Sequence, residues 1–219
     1  MKIDKLGLLI LGLLTAASGV LVLQLITGSP PVNNPNYMPI TNKVLKKAAF
    51  IVAYRDYRDQ EYFIPKEIFE KAGVSVVTAS SQNGIAVGVD GGEAAVDLLL
   101  SALRGSDYDA IVFIGGPGAI KYLDVADSYR VAKEAIIGRK VLGAICVAPI
   151  ILANGGILDG KKATVWSGPM NKTAIDLIRA GGATYVEAAV ISDGLIVTGN
   201  GPDASEEFAK KIVEMIKKQ

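Results

Sequence analysis

One cysteine and no histidine occur in the 219 residues, so nucleophilic chemistry in this chain converges on Cys146. A single thiol forbids an intrachain disulfide. The missing histidines and paired cysteines exclude a His-rich or Cys-paired metal site and every dyad or triad with a histidine base. The thiol stands in Gly143-Ala-Ile-Cys-Val-Ala-Pro149, where an apolar run meets helical spacing. A strand turning sharply into a helix holds the residue at its elbow in a strained conformation and exposes its side chain. Gly143, Ala144 and Ala148 leave room for that turn. The positive N-terminal end of the following helix is expected to favour the reactive thiolate. A buried, inert core cysteine has the same spacing.

Two other segments could complete a site. Gly115-Gly-Pro-Gly118 follows an apolar run. Glycines there let backbone amides approach a ligand and form an oxyanion hole together with the amide after the nucleophile; an ordinary turn reads the same. Neither GxGxxG nor GxxxxGK[ST] occurs, so no dinucleotide or nucleotide-phosphate loop is expected. Asp56-Tyr-Arg-Asp-Gln-Glu61 holds three acids in one loop. One of them could act as acid or base beside the thiol without histidine; a solvated acidic loop is the plainer reading.

Positioning these segments takes alternating strands and helices. Short apolar, β-branched runs predict strands over 48–54, 74–79, 109–114, 140–145 and 195–198, with shorter ones near 85–89, 163–166 and 183–186. Helical spacing predicts helices over 62–72, 93–103, 128–137, 147–153, 173–180 and 204–217. Gly73 marks a helix C-terminus and Asp203-Ala-Ser-Glu206 has capping-box spacing. Such alternation implies a mostly parallel sheet covered on both faces, with sites at the carboxyl ends of its strands. That rule selects the loop after Tyr54, the Gly115–Gly118 loop and the turn at Cys146.

The N-terminal region reads differently. Residues 6–28 carry no charge and predict a membrane segment, a signal-anchor or a signal peptide, since about 20 apolar residues span a bilayer core. Lys2 and Lys5 against Asp4 place the N-terminus in the cytoplasm and the following domain outside. The expected localisation is membrane-anchored by a single pass, or secreted if the segment is cleaved. Residues 29–42, with four prolines and four asparagines, predict an extended tether. The folded domain is then 43–219. Without Lys2, Lys5 and Asp4 the chain keeps 21 basic and 21 acidic residues, so no nucleic-acid partner is expected.

Four stretches in this order resemble the ThiJ/PfpI family of the class I glutamine amidotransferase-like superfamily. They are Glu61-Tyr-Phe-Ile-Pro65 before Ala72-Gly73, Ile114-Gly-Gly-Pro-Gly118, Ala144-Ile-Cys-Val-Ala-Pro149, and Asp193-Gly-Leu-Ile-Val-Thr198 with Gly201-Pro-Asp-Ala-Ser205. The resemblance covers about 46–218. It implies a flavodoxin-like three-layer sandwich with a mostly parallel sheet, a cysteine nucleophile elbow, and homo-oligomers, dimers or hexamers. Cys146 matches the elbow cysteine. Glu61 matches the glutamate that hydrogen-bonds the thiol, protonated while it supports a thiolate. Gly116 and Val147 match the oxyanion-type amides, beside Gly115 in the pocket. The chain departs from the family where peptidase-like members carry histidine after the cysteine, since Val147 stands there. Other members place a histidine where this chain has Trp166, which becomes an apolar pocket wall or a core residue.

The resemblance therefore implies a cysteine-dependent enzyme, a hydrolase or a glyoxalase- or deglycase-like activity on small carbonyl compounds or protein adducts. No cofactor and no metal is expected, and a Cys-His peptidase mechanism is excluded by composition. The alternatives are a redox-sensing or stress-response protein using an oxidisable thiol, and a catalytically silent, membrane-tethered binding domain.

Overall fold

The computed structural model describes residues 45–168 and 170–219. The anchor expected over 6–28 and the tether over 29–42 lie outside the described residues. Among the described residues no helix is long and apolar enough to cross a membrane, which overturns the expected membrane-anchored localisation.

The chain runs through β1 (Lys46–Ile51), β2 (Arg55–Tyr57), α1 (Asp59–Lys71), β3 (Val74–Ser80), β4 (Gly84–Gly88), β5 (Glu93–Val96) and β6 (Leu98–Leu99). It continues through β7 (Ala110–Phe113), α2 (Pro117–Leu123), α3 (Ala126–Ile137), β8 (Val141–Ile145), α4 (Pro149–Asn154) and β9 (Lys162–Ala163). The last elements are α5 (Thr173–Ala180), β10 (Thr184–Tyr185), β11 (Val190–Asp193), β12 (Ile196–Gly199) and α6 (Ser205–Lys217).

Seven strands form the central sheet in the order β11-β12-β8-β7-β1-β3-β6. All neighbours are parallel except β11 and β12. The apolar runs are buried along their length because both sheet faces are covered: every residue of β7 and of β8 is buried. Helices α1 and α6 pack on each other, α1 against β3 and α6 against β8 and β12. Helix α3 packs against β7, β8 and α4, and α4 against α5. Contact between α6 and β8 is close enough to require Gly143, where a Cβ would meet Ile212 Cδ1 at 2.6 Å and Phe208 Cζ at 2.9 Å. The expected flavodoxin-like sandwich is the observed fold.

Register brings the site segments to one edge. Ile51 aligns with Phe113, Phe113 with Ala144, and Ile145 with Gly199. The chain leaving β1, β7, β8 and β12 therefore emerges side by side, carrying Arg55–Glu61, Gly115–Gly116, Cys146 and Gly201–Pro202.

Several local expectations differ from the structure. The helix expected over 93–103 is absent. Residues Glu93–Val96 pair antiparallel with Gly84–Val87, and Leu98–Leu99 extend the sheet edge beside β3. Asp97 fixes this course: its carboxylate accepts the Thr78 N–H at 2.7 Å and its own N–H donates to the Thr78 carbonyl at 2.9 Å. The Arg130 guanidinium then donates to the carbonyls of Leu100, Ser101 and Leu103. Tertiary partners thus override the helical spacing. Residues Pro117–Leu123 form a helix where only a turn was expected; proline at the first helical position suits that start. The capping box does not form, because Pro202–Ala204 is a turn of 3-10 helix and no side chain caps α6.

Candidate functional site

Cys146 adopts φ +63°, one of three non-glycine residues with positive φ among the described residues. That conformation costs on the order of 1–3 kcal/mol and persists only where its surroundings hold it. Here both backbone groups are held: the Cys146 N–H donates to the Gly199 carbonyl at 2.9 Å, and its carbonyl accepts the Trp166 N–H at 2.9 Å. The elbow anticipated from the sequence is present. The helix after it starts only at Pro149 and spans six residues.

Glu61 lies in the first turn of α1, which begins at Asp59 rather than at Tyr62. Asp59 ties that turn to the β4–β5 hairpin, its carboxylate accepting the Asp90 N–H at 2.9 Å and the Gly92 N–H at 2.6 Å. Among the loop acids it is Glu61 that reaches the thiol; Asp59 is structural. The Glu61 side chain is fully buried. Its Oε2 accepts the Gly115 N–H at 3.0 Å, while Oε1 has no hydrogen-bond partner. The Cys146 thiol beside this carboxyl favours its ionised form, as does the Gly115 amide.

Gly115 is the floor on which both groups rest. A Cβ there would stand 2.5 Å from Cys146 Cβ, 2.6 Å from Glu61 Oε2 and 2.7 Å from the Ile145 carbonyl oxygen. Gly116 has φ +105°, and its Cβ would lie 2.5 Å from the Arg58 nitrogen. Close approach explains glycine at both positions, and the left-handed backbone explains it further at Gly116.

The electrostatics couple the two acids. Burial pushes the Glu61 carboxyl up to about 7, against the opposing pulls of the thiol, the Gly115 amide and Arg58. Burial first, and the Glu61 charge second, push the Cys146 thiol up to about 12; the amides of Gly116 and Val147 pull it down. The net direction is opposite to the thiolate stabilisation expected from a helix terminus, because desolvation of a buried sulfur outweighs the backbone dipoles. Both groups are thus pushed toward their neutral forms. The resemblance implied a protonated carboxyl, in the direction of the Glu61 shift, beside a thiolate, against the direction of the Cys146 shift.

Cys146 opens onto a cleft of about 290 Å³ lined by Arg58, Gly116, Pro117, Val147, Trp166 and Pro202. Trp166 is 40% exposed and lines this cleft, so it is a pocket wall and not a core residue. Gly116 and Val147 flank the sulfur as expected, whereas Gly115 lies behind the pair and off the cleft wall. Arg58, Pro117 and Pro202 were not singled out from the sequence. The signal for Arg58 was its position three residues before Glu61 in a loop already selected.

A strained thiol at the carboxyl edge of a parallel sheet, backed by a buried carboxyl, defines a cysteine-elbow protein of flavodoxin-like fold. Residues 46–215 match the model of the DJ-1/PfpI family, and the chain belongs to it. An uncharacterized protein of Methanocaldococcus jannaschii is 36% identical over 173 residues, 78% of this chain and 83% of that one. A glutathione-independent glyoxalase of Caenorhabditis elegans is 26% identical over 171 residues, covering 78% of this chain and 89% of its own. Among solved structures, a ThiJ/PfpI domain protein from Brachyspira murdochii superposes with a TM-score of 0.74 at 32% identity, covering 79% of this chain and 97% of that one.

Proposed function

We propose that the chain is a cysteine-dependent enzyme that converts small 2-oxoaldehydes, with water, into 2-hydroxy acids. The observation that carries this reading is the pairing of Cys146 with a fully buried carboxyl whose Oε1 is unpartnered and whose proton is exchangeable near neutral pH. Glu61 takes the thiol proton as the sulfur attacks the aldehyde carbon, forming the S–C bond. The carbonyl electron pair becomes an oxyanion against the Gly116 and Val147 amides. Glu61 returns the proton to that oxygen, giving a hemithioacetal. The carboxylate then moves the C1 proton to C2, and the hemithioacetal hydroxyl proton passes to the C2 oxygen, so that C1 is oxidised to a thioester and C2 reduced to an alcohol. Water cleaves the thioester and restores the thiol. No step calls on histidine, of which the chain has none. The glyoxalase name borne by the nematode relative supports this choice over hydrolysis of peptides.

The test is conversion of methylglyoxal to lactate by purified protein. Wild type should turn over, and Cys146→Ser should be inactive; lactate formation without the thiol would remove the proposal. With this chemistry goes the homo-oligomer that the resemblance implies, and sedimentation showing only monomer would remove that part.

A further inference from the structure

Among the described residues Arg58 is the one cation on the cleft wall, beside proline, valine, tryptophan and glycine neighbours. It belongs to the site by its backbone: its N–H donates to the Gly115 carbonyl at 3.0 Å, and its carbonyl accepts the Glu61 N–H at 3.1 Å. Its side chain, by contrast, is poorly engaged. Nε is buried without a hydrogen-bond partner. The nearest carboxylate, Asp90 Oδ2, stands 3.9 Å from Nη1 and is itself 64% exposed. A pair that loose and wet contributes little. An arginine held at a reactive centre with donors unspent marks a place for an anion, and its planar fork suits a carboxylate.

We propose that Arg58 makes this cleft selective for 2-oxoaldehydes that carry a carboxylate, binding that carboxylate while Cys146 attacks the aldehyde. The carbonyl end meets the thiol and the Gly116 and Val147 amides; the alkyl linker lies on Trp166 and Pro202. One cation matches a monoanion, whereas a phosphate dianion would leave a charge uncompensated in a cleft of this lining. The carboxylate is a handle only and takes no part in bond changes. The inference rests on the thiol–carbonyl chemistry proposed above, and it deepens that reading by naming the substrate's charge.

The test reads the cation with and without turnover. Cys146 is alkylated with iodoacetate and with iodoacetamide, which differ in charge, in wild type, Arg58→Met and Arg58→Lys. The iodoacetate-to-iodoacetamide rate ratio should fall about tenfold in Arg58→Met, the scale of a charge-assisted hydrogen bond, and be largely retained in Arg58→Lys. In wild type alone, molar salt should lower the ratio, because a half-exposed cation is screened. In parallel, kcat/KM for 4,5-dioxopentanoate relative to methylglyoxal should fall about as much in Arg58→Met. A ratio equal in wild type and Arg58→Met, or one indifferent to salt, overturns the inference. If the alkylation ratio shifts but neither aldehyde is turned over, the selective cation stands and the proposed reaction fails. If methylglyoxal is turned over with no charge preference, the reaction stands and the selectivity fails.

Discussion

Replacing Glu61 by glutamine should make Cys146 more acidic while sharply cutting turnover. Glutamine keeps the side chain's size and can still accept the Gly115 N–H, which Oε2 accepts at 3.0 Å. What it loses is the negative charge that ranks second, after burial, among the causes holding the thiol up. The distances of 2.5 and 2.6 Å from the Gly115 Cβ position to Cys146 Cβ and Glu61 Oε2 cap the separation of those two atoms at about 5 Å. Two unit charges at about 5 Å interact by about 3 kcal/mol at an effective dielectric near 20. At 1.36 kcal/mol per pH unit, that is a fall of about two units in the thiol's titration. Ultraviolet thiolate absorbance and the rate of iodoacetamide alkylation across an alkaline titration both read it, in wild type and Glu61→Gln. Glu61→Gln should also lose on the order of 100-fold or more in methylglyoxal turnover, the range of general acid–base catalysis. A thiol that ionises at the same or a higher pH in Glu61→Gln would show that the carboxyl charge is not what holds the proton on sulfur.

The same acid shapes pH dependence and stability. Turnover should rise with pH through about 7 as Glu61 ionises to become the base, and a profile flat across neutrality would count against that role. A carboxyl raised from 4.5 to about 7 stays protonated in the folded chain after the unfolded chain has released its proton. Stability from this group is therefore present below the unfolded value and falls as pH rises to about 7, by about 3 kcal/mol. Urea unfolding at mildly acidic and mildly alkaline pH should show a larger loss in wild type than in Glu61→Gln; equal losses would contradict it. Gly115→Ala should destabilise by about 1–3 kcal/mol through overpacking and cut turnover, since its Cβ collides with both Cys146 and Glu61. A Gly115→Ala protein with wild-type activity would show that the pair is not held as described.

Much of this arrangement is legible in residue order because buried parallel strands must be apolar runs. Ala110–Phe113 and Val141–Ile145 lie within their predicted runs, and the elbow follows the second at Cys146. Helix α5 occupies the predicted residues, its apolar spacing uncontested by any competing partner. The failures lie where a distant group decides. Residues 93–103 have helical spacing, yet Thr78 and Arg130 capture their polar groups from other elements. Asp203 and Glu206 have capping-box spacing, but the preceding turn tightens and leaves the cap unmade. The thiol's acidity is of the same kind: a helix after Cys146 argued for thiolate, while burial and a carboxyl 85 positions earlier in the chain argue harder for the thiol. Arg58 went unweighed because a loop arginine is ordinary until the fold sets it on the wall of a cleft.

In the proposed reaction Cys146 adds to a carbonyl and carries it through to a hydroxy acid. The direct measurement is quantification of lactate formed from methylglyoxal by wild type and Cys146→Ser at equal concentration. Wild type should form lactate steadily, and Cys146→Ser none above the uncatalysed rate. Equal lactate from both proteins, or none from correctly folded wild type, would contradict it.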